Sequence, residues 1–141
     1  MATIRTFEDL EVWKRARSFS HKIYELTLEG NFAKDYSLKD QINKSSGSIM
    51  DNIGEGFDRG GNKEFVLFLS YAKGSAGESR SQLYRALDRN HINEITFNEL
   101  KQEALEIGKM IGGFMQYLQH SDLKGSKFHE PSSSYGNFES N

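Results

Sequence analysis

Residues 13–24 carry Lys14, Arg15, Arg17 and Lys22 without a single acidic side chain, a local charge of +4 with His21 beside it. Clustered cations of this kind attract phosphates, because each contact releases condensed counterions from a nucleic-acid backbone. A second group lies in residues 79–91, where Arg80, Arg85 and Arg89 stand against Asp88 alone, a local +2. Residues 1–91 carry a net charge of +1 and residues 92–141 a net −3, so the bases gather in the first part of the chain. These seven side chains are the candidate nucleic-acid contacts. The same pattern also fits a solvated face that pairs with acids on neighbouring elements, and both readings stay open at this stage.

Other chemistries fail on detail. The stretch from Gly54 to Lys63 contains Gly56-x4-Gly61, but Asn62 follows where a phosphate loop needs Lys, and no Ser or Thr comes next for magnesium. It reads instead as a helix end and turn, with Gly60 or Gly61 at positive φ. A di-iron bundle needs paired Glu-x-x-His motifs. The chain holds a lone Asp88-x-x-His91, and His21, His91, His120 and His129 are scattered. No Ser stands in a Gly-x-Ser-x-Gly elbow, and with no Cys there is neither a thiol nucleophile nor a thiolate metal site. The expectation is a non-enzymatic protein with no catalytic residue, cofactor or metal.

Some polar residues look architectural. Glu55 and Arg59 are spaced i,i+4 with the acid first, the better orientation for a helical ion pair. Ser45-Ser46-Gly47-Ser48 and Gly74-Ser75-Ala76-Gly77-Glu78-Ser79 fall within helical patterns, where each Gly costs up to ~1 kcal/mol relative to Ala. Close approach of two backbones would compensate, so these stretches are expected to face one another. Glu78, set among small residues, is expected to take an Arg or Lys from the first or second helix as partner.

The elements that must position these groups are helices. The 141 residues include one proline, Pro131, so residues 1–130 contain nothing that breaks a helix interior. The first helix is read over about Phe7 to Glu29, with Thr6 as N-cap, a stripe of Val12, Ala16, Phe19, Ile23 and Leu26, and a stop at Gly30-Asn31. The second runs from about Ser37 to Phe57 on Leu38, Ile42, Ser45/Ser46, Ile49, Ile53 and Gly56/Phe57. The third runs from Asn62 to about Asn90 on Phe65, Phe68/Leu69, Ala72, Ala76, Ser79, Leu83 and Ala86/Leu87. The fourth opens at Thr96 with the capping-box pattern Thr96-x-x-Glu99, carries Phe97, Leu100, Ala104, Ile107, Ile111, Phe114 and Leu118, and ends near His120. Spacings of three and four in every stripe, with short connections, predict an all-α, antiparallel up-down four-helix bundle over residues 1–120. Residues 121–141, rich in Ser, Gly and Asn, are expected to be a disordered, flexible polar tail. No membrane span or signal peptide is evident, and the expected location is the cytoplasm.

Several motifs in register carry a resemblance. Phe7-x-x-Leu10-x-Val12-Trp13-x-x-Ala16 is followed by Asp40-Gln41-Ile42-x-Lys44-Ser45-Ser46-x-Ser48-Ile49, then by Asn52-Ile53-Gly54-Glu55-Gly56, and finally by Glu64-Phe65-x-x-Phe68-Leu69-x-x-Ala72-x-Gly74-Ser75-x-x-Glu78. Over about residues 7–119 the chain resembles the four-helix-bundle family of the 23S rRNA intervening-sequence protein, related to the accessory variability protein of diversity-generating retroelements. The resemblance implies a ring-shaped homopentamer and, for the retroelement relatives, nucleic acid and a reverse transcriptase as partners. It implies architectural roles for Glu55, Gly56, Glu64, Gly74, Ser75 and Glu78, and no catalytic residue. Retroelement accessory proteins are strongly basic, whereas this chain has a net charge of −2. In a pentamer, however, five copies of the first helix would add their charges.

The function expected from the sequence is an oligomeric helical scaffold that binds RNA or a nucleoprotein partner through basic helix faces. The alternative is a structural protein–protein adaptor with no nucleic-acid role. Val66, Tyr71 and Met50, off the main stripes, are the expected subunit contacts.

Overall fold

The computed structural model describes residues 3–121 and 129–131. It contains α1 (Glu11–Leu26), α2 (Tyr36–Asp58), α3 (Asn62–Asp88) and α4 (Glu94–Gln119), with no strand among the described residues. Each helix packs on its neighbour in the chain, and α4 returns to α1. The architecture is therefore the all-α antiparallel bundle that the stripe spacing predicts.

The stripes supply the core. Val12, Ala16, Phe19 and Ile23 of α1 meet Leu38, Ile42, Ile49 and Ile53 of α2 in the interior. Phe65, Leu69, Ala72, Ala76 and Leu83 of α3 join them, with Phe97, Leu100, Ala104, Ile107, Ile111, Phe114 and Leu118 of α4. Burying side chains of this size stabilises the fold by roughly 1.5–3 kcal/mol each before chain entropy is subtracted.

Helix boundaries differ from the sequence reading at both ends of α1, which stops at Leu26 with Thr27 as C-cap and not at Glu29, and at the start of α4. The chain enters through a 3-10 turn, Phe7–Asp9, in which the Asp9 carboxylate accepts the backbone N–H groups of Arg5 and Thr6 at 3.0 and 3.2 Å. Those two donors hold the Asp9 carboxyl below its ordinary range. Leu10 then turns extended, buries its side chain completely, and α1 starts at Glu11. Thr6 thus caps the short turn and not α1. At α4 the N-cap is Asn93, whose Oδ1 accepts the Thr96 N–H at 2.8 Å, so the helix begins two residues before the expected Thr96. Asn is the stronger N-cap of the two, and in the helix that it starts Phe97 is buried in the core.

The turns follow backbone chemistry. Gly60, between α2 and α3, sits at φ +88°, as the glycine-rich run predicts. Asn90 ends α3 at φ 59°, and the His91 N–H returns to the Ala86 carbonyl at 2.9 Å, a Schellman arrangement.

The expected tail falls largely on residues 122–128 and 132–141, outside the described residues. Between those stretches Glu130 and Pro131 are buried against the bundle.

Candidate nucleic-acid interface

The basic run of α1 divides because successive helical residues are turned by about 100°. Lys14 and Arg17 face one side, with Arg15 and Lys22 on the other. Lys14 and Arg17 line an open groove of about 880 Å3 against α2, together with Ser18, Ser20, His21 and Tyr24. Asn43 and Met50 supply the α2 wall. Gly47 helps keep the seam low: a Cβ there would meet only the Ser20 Oγ at 3.9 Å.

The cations of the groove are lightly held. The Arg17 guanidinium lies 5.8 Å from the Trp13 ring centre, and Trp13 in turn packs against Phe7 at 5.2 Å. Lys14 contacts Glu11 at 3.4 Å within its own helix, both groups being more than half exposed, an arrangement of little energetic consequence. His21 lies 3.6 Å from Glu25, and Tyr24 is 49% exposed at the far end. Two cations, an exposed phenol ring, two hydroxyls and an amide thus converge on one surface.

Arg15 and Lys22 do different work. Arg15 Nη2 donates to Glu106 on α4 at 2.6 Å, and Lys22 Nζ to Glu103 at 3.0 Å. The first bond, with a second from Gln102, keeps the Glu106 carboxyl below its ordinary value. These pairs bridge the α1–α4 seam, the more thinly packed of the two that α1 makes.

The α3 cations are distributed as well. Arg85 donates to Gln41 Oε1 at 2.8 Å, and Arg89 to Asp35 Oδ2 at 2.9 Å, so both reach back to α2. Arg80 is half-buried and makes no ion pair among the described residues. Asp35 is the N-cap of α2 and also contacts His91 Nε2 at 2.8 Å. The His91 hydrogen bond, then Arg89, lowers the Asp35 carboxyl to about 2. His91 stacks on Phe32 at 4.9 Å, and its Nδ1 is buried without a partner. The structure therefore places six of the seven candidate cations on three separate surfaces, with Arg80 in none of these contacts.

The architectural candidates are brought together in two places. At the α2–α3 turn Arg59 bonds Glu55 at 2.8 Å, approaches Glu64 at 4.0 Å and covers the Phe68 ring at 4.9 Å. Gly56 lies beside them because a Cβ there would come within 2.5 Å of Phe68 Cβ. The close backbone approach expected at Gly47 and Gly74 is found here instead. A Cβ on Gly74 or Gly77 would meet nothing within 4 Å, so those glycines do not face a neighbouring helix.

Serines meet where glycines were expected. Ser45 Oγ lies 2.8 Å from Ser79 Oγ and donates to Gln82 Oε1 at 2.6 Å, all three residues being buried. Ser75 Oγ donates to Ser48 Oγ at 3.1 Å nearby. Glu78 is exposed and accepts a long bond from Gln82 at 3.5 Å, with no cation on it among the described residues. The expected Glu78 salt bridge is thus replaced by an amide contact within its own helix. The two small-residue stretches thus face one another, as the sequence predicts, but through Ser45–Ser79 and Ser48–Ser75 and not through their glycines; Gln82 is the member that the sequence reading did not include.

No group of three or more potential metal ligands converges among the described residues, and no helix there is long and apolar enough to cross a membrane.

Comparison with known proteins places the fold. No curated protein matches the chain. A crystal structure of a protein with unknown function from the S23 ribosomal protein family of Bacteroides thetaiotaomicron VPI-5482 superposes with a TM-score of 0.68. It is 22% identical, and the match covers 74% of this chain and 98% of that one. That likeness is one of fold. Residues 8–113, from the entry turn through most of α4, match the family described as 23S rRNA-intervening sequence protein, and the chain belongs to that family.

Proposed function

We propose that this protein is a non-enzymatic, cytoplasmic, oligomeric scaffold that binds RNA, or a nucleoprotein partner of the reverse-transcriptase kind, through the α1–α2 groove. The observation that carries this reading is that Lys14 and Arg17 share one open surface with Tyr24 while no α2 carboxylate lines it. Cations give sequence-independent affinity for phosphates, and an exposed ring offers a stacking platform for an unpaired base. Both ingredients are present, along with the Ser18 and Ser20 hydroxyls and the Asn43 amide. The family's description supports the rRNA association.

Two cations per chain are too few for tight binding, so the reading includes assembly. A ring of five copies, as the resemblance implies, would present ten groove cations, and modest local charges would add along one ligand. Tyr71, 49% exposed, is the best of the expected subunit contacts; Met50 and Val66 are partly buried against the core. Leu67, 47% exposed, lies one helical turn from Tyr71 on α3 and extends that surface. The same apolar face supports the second reading, a protein–protein adaptor with no nucleic-acid role.

Fluorescence anisotropy with a labelled structured RNA separates the two. Binding that weakens steeply between about 50 and about 300 mM salt is expected from counterion release. Absence of binding at the lowest salt would favour the adaptor.

A further inference from the structure

One amide in the groove wall is held so that only its acceptor is free. Asn43 Nδ2 donates to the Lys39 carbonyl at 3.0 Å and to Thr27 Oγ1 at 3.0 Å. A carbonyl oxygen can only accept, so the atom turned toward Lys39 is the nitrogen, and a flipped amide would set oxygen against oxygen. Thr27 is completely buried, and its own hydroxyl proton goes to the Tyr24 carbonyl at 2.7 Å. Its Oγ1 is therefore left to accept from Asn43. Both Asn43 donors are spent inside the protein, while its Oδ1 takes no hydrogen bond from the described residues.

That acceptor shares the groove with rings. Tyr24, 49% exposed, lines the same surface and is joined to Asn43 through the single Thr27 hydroxyl. The His21 ring lies 6.5 Å from the Tyr24 ring with 32° between their planes, which extends the platform along α1. Unpaired bases are recognised by stacking on such rings while their edges meet fixed hydrogen-bonding groups. The remaining polar groups of the groove select less. The Ser18 and Ser20 hydroxyls rotate to donate or to accept. Lys14 and Arg17 meet phosphates, which are the same for every base.

We infer that Asn43 makes the groove selective for an unpaired base that presents an exocyclic amino group, with Thr27 as the positioning residue that fixes the choice. This rests on the nucleic-acid reading of the groove. Adenine offers its N6 amino group and cytosine its N4 amino group. Uracil carries a carbonyl where cytosine carries that amino group, and two oxygens there repel. An amide with both ends free would hold adenine through N6 and N7 together. Asn43 has only its acceptor to give, so the preference is for the amino group and not for one base.

The test compares labelled oligocytidylate and oligouridylate of equal length on the full-length chain by anisotropy. The two pyrimidines have rings of the same size and the same phosphates, so the ratio of their affinities isolates the base edge. Oligocytidylate should bind roughly three- to tenfold more tightly, the worth of one net hydrogen bond, with equal salt slopes for the two. Asn43→Ala should abolish the preference and leave the slopes unchanged. Thr27→Val, which cannot accept the Asn43 amide proton, should weaken the preference, and Thr27→Ser should restore it. Each variant should match the parent in helicity by circular dichroism. Equal affinities in the parent, a preference for oligouridylate, or a preference that survives N43A would overturn the inference, while salt-dependent binding would leave the groove reading in place. No binding of either oligomer at the lowest salt would remove both.

Discussion

Arg15 Nη2 lies 2.6 Å from Glu106 Oε1, so a cation that stands two residues from Arg17 is committed to holding α1 against α4. Arg17 has no carboxylate partner among the described residues and leans on Trp13. Adjacent positions of one basic run therefore differ in what they are free to bind.

Charge reversal should expose that difference. K14E/R17E is expected to abolish most RNA affinity and flatten its salt dependence, since each lost phosphate contact removes about 0.9 from the slope. R15A should leave RNA affinity within about twofold and lower stability by no more than ~1 kcal/mol, because the pair is partly solvated. Anisotropy and urea denaturation on the same preparations check both. Equal loss of binding in the two variants would return Arg15 to the interface.

The two mid-helix glycines that look alike in sequence should respond with opposite sign. G56A places a methyl group 2.5 Å from the Phe68 Cβ, and backbone must move to admit it. Overpacking of about 1–3 kcal/mol outweighs a helix-propensity gain of at most ~1 kcal/mol, so the variant should be less stable. G74A meets nothing within 4 Å and should gain ~0.5–1 kcal/mol per chain. If light scattering shows G74A to be a smaller assembly than the parent, that face of α3 is a subunit contact.

Ser45→Ala should cost about 1–3 kcal/mol, as it strips Gln82 Oε1 and Ser79 Oγ of a buried partner. Replacing Ser45 and Ser79 together should cost less than the sum of the single changes, because the two hydroxyls share one bond. A double-mutant cycle by chemical denaturation measures the coupling. Strict additivity would mean that the serines act independently.

Asp35 makes stability depend on acid. Its carboxyl is lowered from 3.8 to about 2 by His91 and Arg89, so the folded state favours the ionised form. The stabilisation is fully present above 3.8 and is lost as pH falls through about 2. Asp35→Asn keeps a competent N-cap for α2 while removing the charge. Melting temperatures followed downward from neutral pH should fall less steeply for D35N than for the parent across that window. Parallel curves would assign the acid sensitivity elsewhere, with Glu106 and Asp9 the next carboxylates to replace.

Helical periodicity is a local property, which is why so much of the bundle was legible in the chain. Apolar residues at spacings of three and four, with a single proline near the end, placed four helices and nearly all of their buried positions. Two local signals were equally readable: the Gly60 turn, where only glycine is unstrained at φ +88°, and the Glu55–Arg59 pair one helical turn apart. What lay beyond reach depended on partners distant in sequence. The assignment of Arg15 to Glu106, of Arg89 to Asp35, and of Ser45 to Ser79 and Gln82 follows from how the helices rotate against one another. Side-chain type says that a group can bond, but packing decides with what. The clearest instance is α1's first turn, whose missing cap is supplied by Glu130 from 118 residues away, through a contact that no local pattern encodes. The sequence by itself determined the helices and their inward faces; the tertiary structure decided which charges remain available to a ligand.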